Sequence, residues 1–213
     1  ADVVAKDYPT PFSFATYFKP ESFTIPQYNF RLGYFISDHY DISFGVDHMK
    51  YVVQQFQTVK INGTISGTET RFDGEYANDD IFVGYDFLQF EHTDGLNYIN
   101  LEFRRFDEIL NFNKVRVNLT EGLGAGLLLP KTNAILFGGP RYDDFHVSGY
   151  GINAVLGINV TFFKYFFLQT ELKGGYIGMP DIRTTPEAGD RASQNFFFSQ
   201  WNFVLGLTFN TKK

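Results

Sequence analysis

Residues 195–210 read NFFFSQWNFVLGLTFN, and the reading of this stretch decides the fold. Trp201, Phe203, Leu205, Leu207 and Phe209 alternate with Asn202, Val204, Gly206, Thr208 and Asn210. A period of two is the period of a β-strand. One face is large and apolar, and the other is small or polar. A strand of this kind, finishing on an aromatic, suits a barrel in an outer membrane. Lipid then meets the apolar face, and a polar lumen meets the other.

The same alternation recurs upstream. Tyr28, Phe30, Leu32 and Tyr34 alternate with Asn29, Arg31 and Gly33, and Ile42, Phe44 and Val46 alternate with Ser43, Gly45 and Asp47. Further alternating runs occupy 98–104, 116–127, 147–162 and 166–176. Residues 81–92 read as a strand with Val83, Tyr85 and Phe87 on one face, and 66–80 reads as a polar loop. Turns fall at 37–39, 93–95, 111–114 and 163–164, and long polar loops at 130–146 and 179–194. Short turns alternating with long loops are the pattern of an outer-membrane barrel, with the turns periplasmic and the loops extracellular.

The predicted fold class is therefore all-β, a transmembrane antiparallel up-and-down β-barrel of eight strands with a side-chain-filled lumen. Two weaker segments, 12–18 and 57–65, would raise the count to ten. Both counts are even, as single-chain bacterial barrels require. Residues 1–26, broken by Pro9, Pro11, Pro20 and Pro26, form an irregular N-terminal segment, and 27–213 form the barrel.

Composition agrees. Aromatics make up 19 % of the 213 residues, with 26 Phe and 13 Tyr, and mean hydropathy is only −0.18. Strands that are half apolar and half polar combine these two properties. No run approaches the roughly 18 apolar residues of a membrane helix. With no Cys there is no disulfide framework, thiol nucleophile or Cys-based metal site. A first residue Ala1 in place of Met predicts a mature form released from a signal peptide. Net charge is −6 and there is no basic stripe, which argues against a nucleic-acid partner. The acidic clusters lack the spacing of calcium loops and the four His lack zinc spacing, so no metal and no cofactor are expected.

The polar parity is rich in Gly, including Gly33, Gly45, Gly122, Gly124, Gly126, Gly151 and Gly157. In a narrow lumen such glycines leave room for long side chains from opposite strands. Arg31, Asp47, Glu102, Arg104, Arg116, Glu171 and Lys173 share this parity and are predicted to form one connected lumen network. They must pair there, because unpaired buried charges are costly. On the other parity, Ile152, Leu156, Ile158, Leu168, Leu172, Phe203 and Leu205 are predicted to face lipid.

These Phe-, Asn- and Gly-rich strands and the closing segment 201–209 resemble the small outer-membrane β-barrel proteins of Bacteroidota. The resemblance implies an outer-membrane location, with membrane lipids and other envelope proteins as partners. A second resemblance is local. Residues 91–97, EHTDGLN, look loosely like the His-x-Ser segment of outer-membrane lipid A deacylases. That family uses the His as base for the Ser nucleophile and an acid on the neighbouring strand to orient it. Carried over, this gives His92, Thr93 and Glu102 as candidate catalytic residues. The residue two after His92 is Asp94, not Ser, and Thr93 points to the opposite face of an extended chain. No Ser or Thr hydroxyl is therefore expected within reach of the His92 ring.

The leading expectation is a structural or accessory outer-membrane barrel, a subunit of a larger envelope assembly such as secretion or insertion machinery. The alternatives are an outer-leaflet lipid A-modifying hydrolase using His92, and a narrow pore.

Overall fold

The computed structural model describes residues 1–18, 27–92 and 95–209. The chain order is β1 (Ala5–Asp7), α1 (Phe14–Phe18), β2 (Tyr28–Phe35), β3 (Tyr40–Met49), β4 (Tyr51–Val53), β5 (Gln57–Ile65) and β6 (Gly74–Val83). It continues with β7 (Leu88–Glu91), β8 (Leu96–Phe112), β9 (Val115–Pro130), β10 (Asn133–Leu136), β11 (Gly149–Phe162), β12 (Phe166–Arg183) and β13 (Arg191–Leu207).

The alternating segments form one antiparallel sheet of seven strands, in the order β13-β12-β11-β9-β8-β3-β2. Every neighbouring pair is antiparallel. The sheet is strongly curled. Lys173 on β12 forms ion pairs with Glu102 on β8 and Asp47 on β3, which stand three and four places away in the strand order. The sheet does not close into a barrel. β2 and β13 are its two edges, and neither has a second neighbour among the described residues.

Turns at 36–39, 113–114 and 163–165 lie at one end of the curl, here the turn end. At the loop end, β1, β4, β7 and β10 form a four-stranded sheet, and β5 pairs with β6 in a separate hairpin. Two apolar clusters fix this end. Met49, Leu96, Tyr98, Leu128, Ile177, Met179 and Ile182 pack inside the mouth of the curl. Val59, Ile61, Phe72, Ile81, Val83 and Phe87 pack beneath the β5–β6 hairpin.

The loop end departs from the sequence reading. Segment 12–18 contains α1 rather than a strand; Ser13 caps it, its hydroxyl accepting from the Thr16 amide at 3.1 Å. Segment 57–65 is a strand, but it belongs to the hairpin and not to the curled sheet. Within 66–80 the polar loop gives way at Gly74 to β6, whose acidic residues line an exposed hairpin. Segment 81–92 is broken by a turn at 85–87, so its first part pairs with β5 and its second with β10. Loop 130–146 contains β10. The described residues thus form a curled sheet with a cap at its loop end, to which β1, the β4–β7 segment between β3 and β8, and β10 all contribute.

Candidate functional site

Inside the curl the predicted charges meet. Glu102 is the centre: Arg104 Nη2 lies 2.6 Å from its Oε2, Arg31 Nη2 2.9 Å from Oε1, and Lys173 Nζ 2.8 Å from Oε1. Arg104 also reaches Glu171 at 2.7 Å, and Lys173 pairs with Asp47. Neutral amides fill the remaining acceptor positions. Asn100 donates to Asp47 and Asn153 to Glu102, both at 2.9 Å, and Gln169 donates to Glu171 at 2.7 Å. Glu102 is 1 % exposed and Lys173 fully buried. A single connected network thus joins β2, β3, β8, β11 and β12.

The glycines explain how it fits. A β-carbon on Gly45 would lie 2.5 Å from the Arg31 guanidinium, and one on Gly124 would lie 2.5 Å from Glu102 Cγ. Each glycine is the floor on which a charged chain lies. Arg116 stands apart from this network, a correction to the sequence reading. It sits beside the 113–114 turn, where the curl opens to solvent; half exposed, it pairs with Glu108 at 3.3 Å. Ile152, Leu156, Leu168, Leu172, Phe203 and Leu205 are all exposed on the outer face, and Ile158 is half-buried there.

His92 follows β7 in the cap, with its amide bonded to the Tyr51 carbonyl at 2.7 Å. Its ring does meet a hydroxyl, against expectation: Thr132 Oγ1 lies 3.2 Å from Nδ1. The hydroxyl comes from the chain between β9 and β10, a long-range partner that local strand direction could not reveal. Both residues are buried, at 1 % and 2 % exposure, and Nε2 has no hydrogen-bond partner. Burial holds the His92 pKa down at about 4, so the ring is neutral at pH 7. Glu102 is committed to the interior network and does not orient His92. Thr93 lies outside the described residues. Among the described residues His92 therefore has a hydroxyl partner but no orienting acid, and its ring is buried away from solvent.

A second His-x-Ser spacing escaped the sequence reading, which placed His146 in a loop. His146-Val147-Ser148 leads into β11 and already follows the ladder to β9. The His146 amide donates to the Pro130 carbonyl at 3.3 Å, and the Ser148 amide to the Leu128 carbonyl at 2.9 Å. His146 Nε2 donates to Asp181 Oδ2 at 3.1 Å from the neighbouring strand. The signal was the spacing itself, two residues apart on one strand face. Arg183 lies 3.6 Å from Asp181. Ser148 is 1 % exposed, and its hydroxyl donates to the His146 carbonyl at 3.2 Å. Base and orienting acid are thus assembled, while the hydroxyl is turned away and covered.

Among the described residues no group of His, Asp and Glu is placed to hold a metal ion. No family model, curated protein or solved structure matches the chain.

Proposed function

We propose that the protein is an integral outer-membrane β-protein with a side-chain-filled interior, acting as a structural or accessory subunit of a larger envelope assembly. The observation that carries this reading is the interior network. Charges at the centre of a curled sheet have value as a plug, because each cation is matched by a carboxylate and the spaces between them are filled by amides. The outer face supports the same reading: Leu172, Trp201, Phe203, Leu205 and Leu207 are each more than half exposed. A contiguous apolar face of that extent is foreign to a soluble monomer and suits lipid. In this reading the loop end with its cap is extracellular, and the turn end is periplasmic. The purified protein in planar bilayers is expected to carry no steady conductance; a stable open channel would favour the narrow pore instead.

A second reading, an outer-leaflet hydrolase, moves from His92 to His146. It is favoured by the His146–Asp181 hydrogen bond beside Ser148. Catalysis there requires Ser148 to release its carbonyl and swing toward the ring. Mass spectra of lipid A from cells with and without the protein decide between the two. Unchanged acyl chains are expected. Loss of a chain that disappears in both Ser148→Ala and His146→Ala would establish the hydrolase.

A further inference from the structure

Within the interior network, Glu102 and Glu171 are held by guanidinium groups, and Asp47 is not. Among the described residues Asp47 is bonded only by the Asn100 amide, at 2.9 Å, and by the Lys173 ammonium. Glu102 stands against the same ammonium, with its Oε1 2.8 Å from Lys173 Nζ. The Tyr98 ring covers Nζ, with its centroid 5.3 Å away. Asp47, Glu102 and Lys173 are all buried, Lys173 completely. An amine, a carboxyl group and a second carboxylate thus touch in a space screened from solvent. The strands that carry them, β3, β8 and β12, are fixed by continuous backbone ladders.

The charged groups differ in what they can do chemically. Arginine keeps its proton in proteins, whereas a buried lysine can give one up and become a nucleophile. Of the three cations in the network, Lys173 alone has that option. Glu102 is fixed as a carboxylate by Arg31, Arg104 and Asn153. Asp47, with no guanidinium on it, is the carboxyl group that can be neutralised. A buried ion pair is costly to desolvate, and a hydrogen-bonded neutral group of the same size is cheaper to hold there.

We propose that Lys173 and Asp47 join in an intramolecular amide bond, with Glu102 carrying the proton that the reaction must move. One ammonium proton passes along the existing hydrogen bond to Asp47, which leaves a neutral amine beside a neutral acid. The Nζ lone pair attacks the carboxyl carbon, one bond beyond the oxygen it already touches. Asn100 donates to the oxygen on which charge builds. Glu102 takes the second proton from Nζ and hands it to the departing hydroxyl. A C–N bond forms, a C–O bond breaks, one water leaves, and nothing is oxidised or reduced. The strands hold the reacting groups together, so little entropy is lost on the way. The product ties β3 to β12, four places apart in the strand order and 126 residues apart in the chain. In a chain with no Cys it is a cross-link that needs no oxidant. The charges left in the network balance, Arg31 and Arg104 against Glu102 and Glu171. The same three residues meet inside the curl in any compartment, so the bond does not rest on the membrane reading.

Mass spectrometry of the folded protein tests this directly. The folded chain is expected to be lighter than its sequence by one water. Trypsin should release peptide 32–50 joined to peptide 165–183, uncut after Lys173. Chain recovered unfolded from inclusion bodies should have the full mass and lose the water on refolding. Lys173→Arg and Asp47→Ala should each keep the full mass of their own sequence. Glu102→Gln, nearly unchanged in shape, should slow the mass change about a hundredfold, the worth of a well-placed proton carrier, while circular dichroism shows the sheet formed. A folded native protein of full mass, with peptides 32–50 and 165–173 recovered free, would overturn the proposal, and so would a water lost at any other site. Linkage at the native rate in folded Glu102→Gln would remove Glu102 from the reaction. The native mass decides the bond even where a variant fails to fold.

Discussion

At Gly45 the absent side chain is what matters. The Arg31 guanidinium occupies the volume that a β-carbon would need, and from there Nη1 and Nη2 reach Ser43 at 3.2 Å and Asn100 at 2.9 Å. The period-two reading placed both residues on one parity, so their meeting was legible from sequence. His92 was not legible in this way. Its Thr132 partner lies 40 positions along the chain, and neither residue announces the other. The burial that joins them has a consequence for pH. The folded pKa of about 4 lies below the 6.5 of an ordinary imidazole, so the unfolded cap binds a proton that the folded cap refuses. Cap stability is then full above pH 6.5 and falls as the pH drops toward 4, by about 3 kcal/mol in all. Amide exchange in β7 and β10 should accelerate over that window in the native protein. In His92→Leu it should not; an unchanged acid response in that variant would remove His92 as the cause.

Among the elements, the long strands were legible and the short ones were not. β11, β12 and β13 carry uninterrupted alternation because one face meets the interior and the other the outside along their whole length. β7 and β10 are four residues each, too short to display a period, and they exist because they pair with each other. β6 begins in a polar, acidic stretch that resembles a loop, and only its pairing with β5 makes it a strand. Arg116 was misread for a related reason. Parity gives the face a side chain points to, but not whether the strand has reached the rim. The outer face of β11 offers a direct check on the membrane reading. Leu156 is 54 % exposed, with Leu172 opposite it on β12 and Glu121 opposite it on β9. If this level is bathed in hydrocarbon near the bilayer midplane, Leu156→Arg should destabilise the folded state in lipid vesicles by about 2–4 kcal/mol. A urea midpoint equal to that of the native protein would put Leu156 in water.

For the whole molecule, the sequence conveyed which residues lie inside and which outside, and said little of how the chain caps or closes itself. A cap is built from long-range pairings between short segments. Closure is a matter of strand direction summed around the sheet, and no local pattern carries that sum.

The interior network also bears on how the chain is assembled. Asp47 and Lys173 lie 126 residues apart, and Arg104 and Glu171 lie 67 apart. Neither pair can form until the later strands have arrived, so the first hairpins must hold their charges unmatched. Contacts this distant in sequence make folding slow, because the ends of long loops must be brought together first. The same distance makes the network a proofreading device. If β12 slipped by one residue against β11, Glu171 and Lys173 would be turned out onto the apolar outer face, and Leu172 would face Glu102. On the proposed membrane reading, a misregistered sheet would therefore be rejected by the bilayer at the moment of insertion, long before any protease had to recognise it.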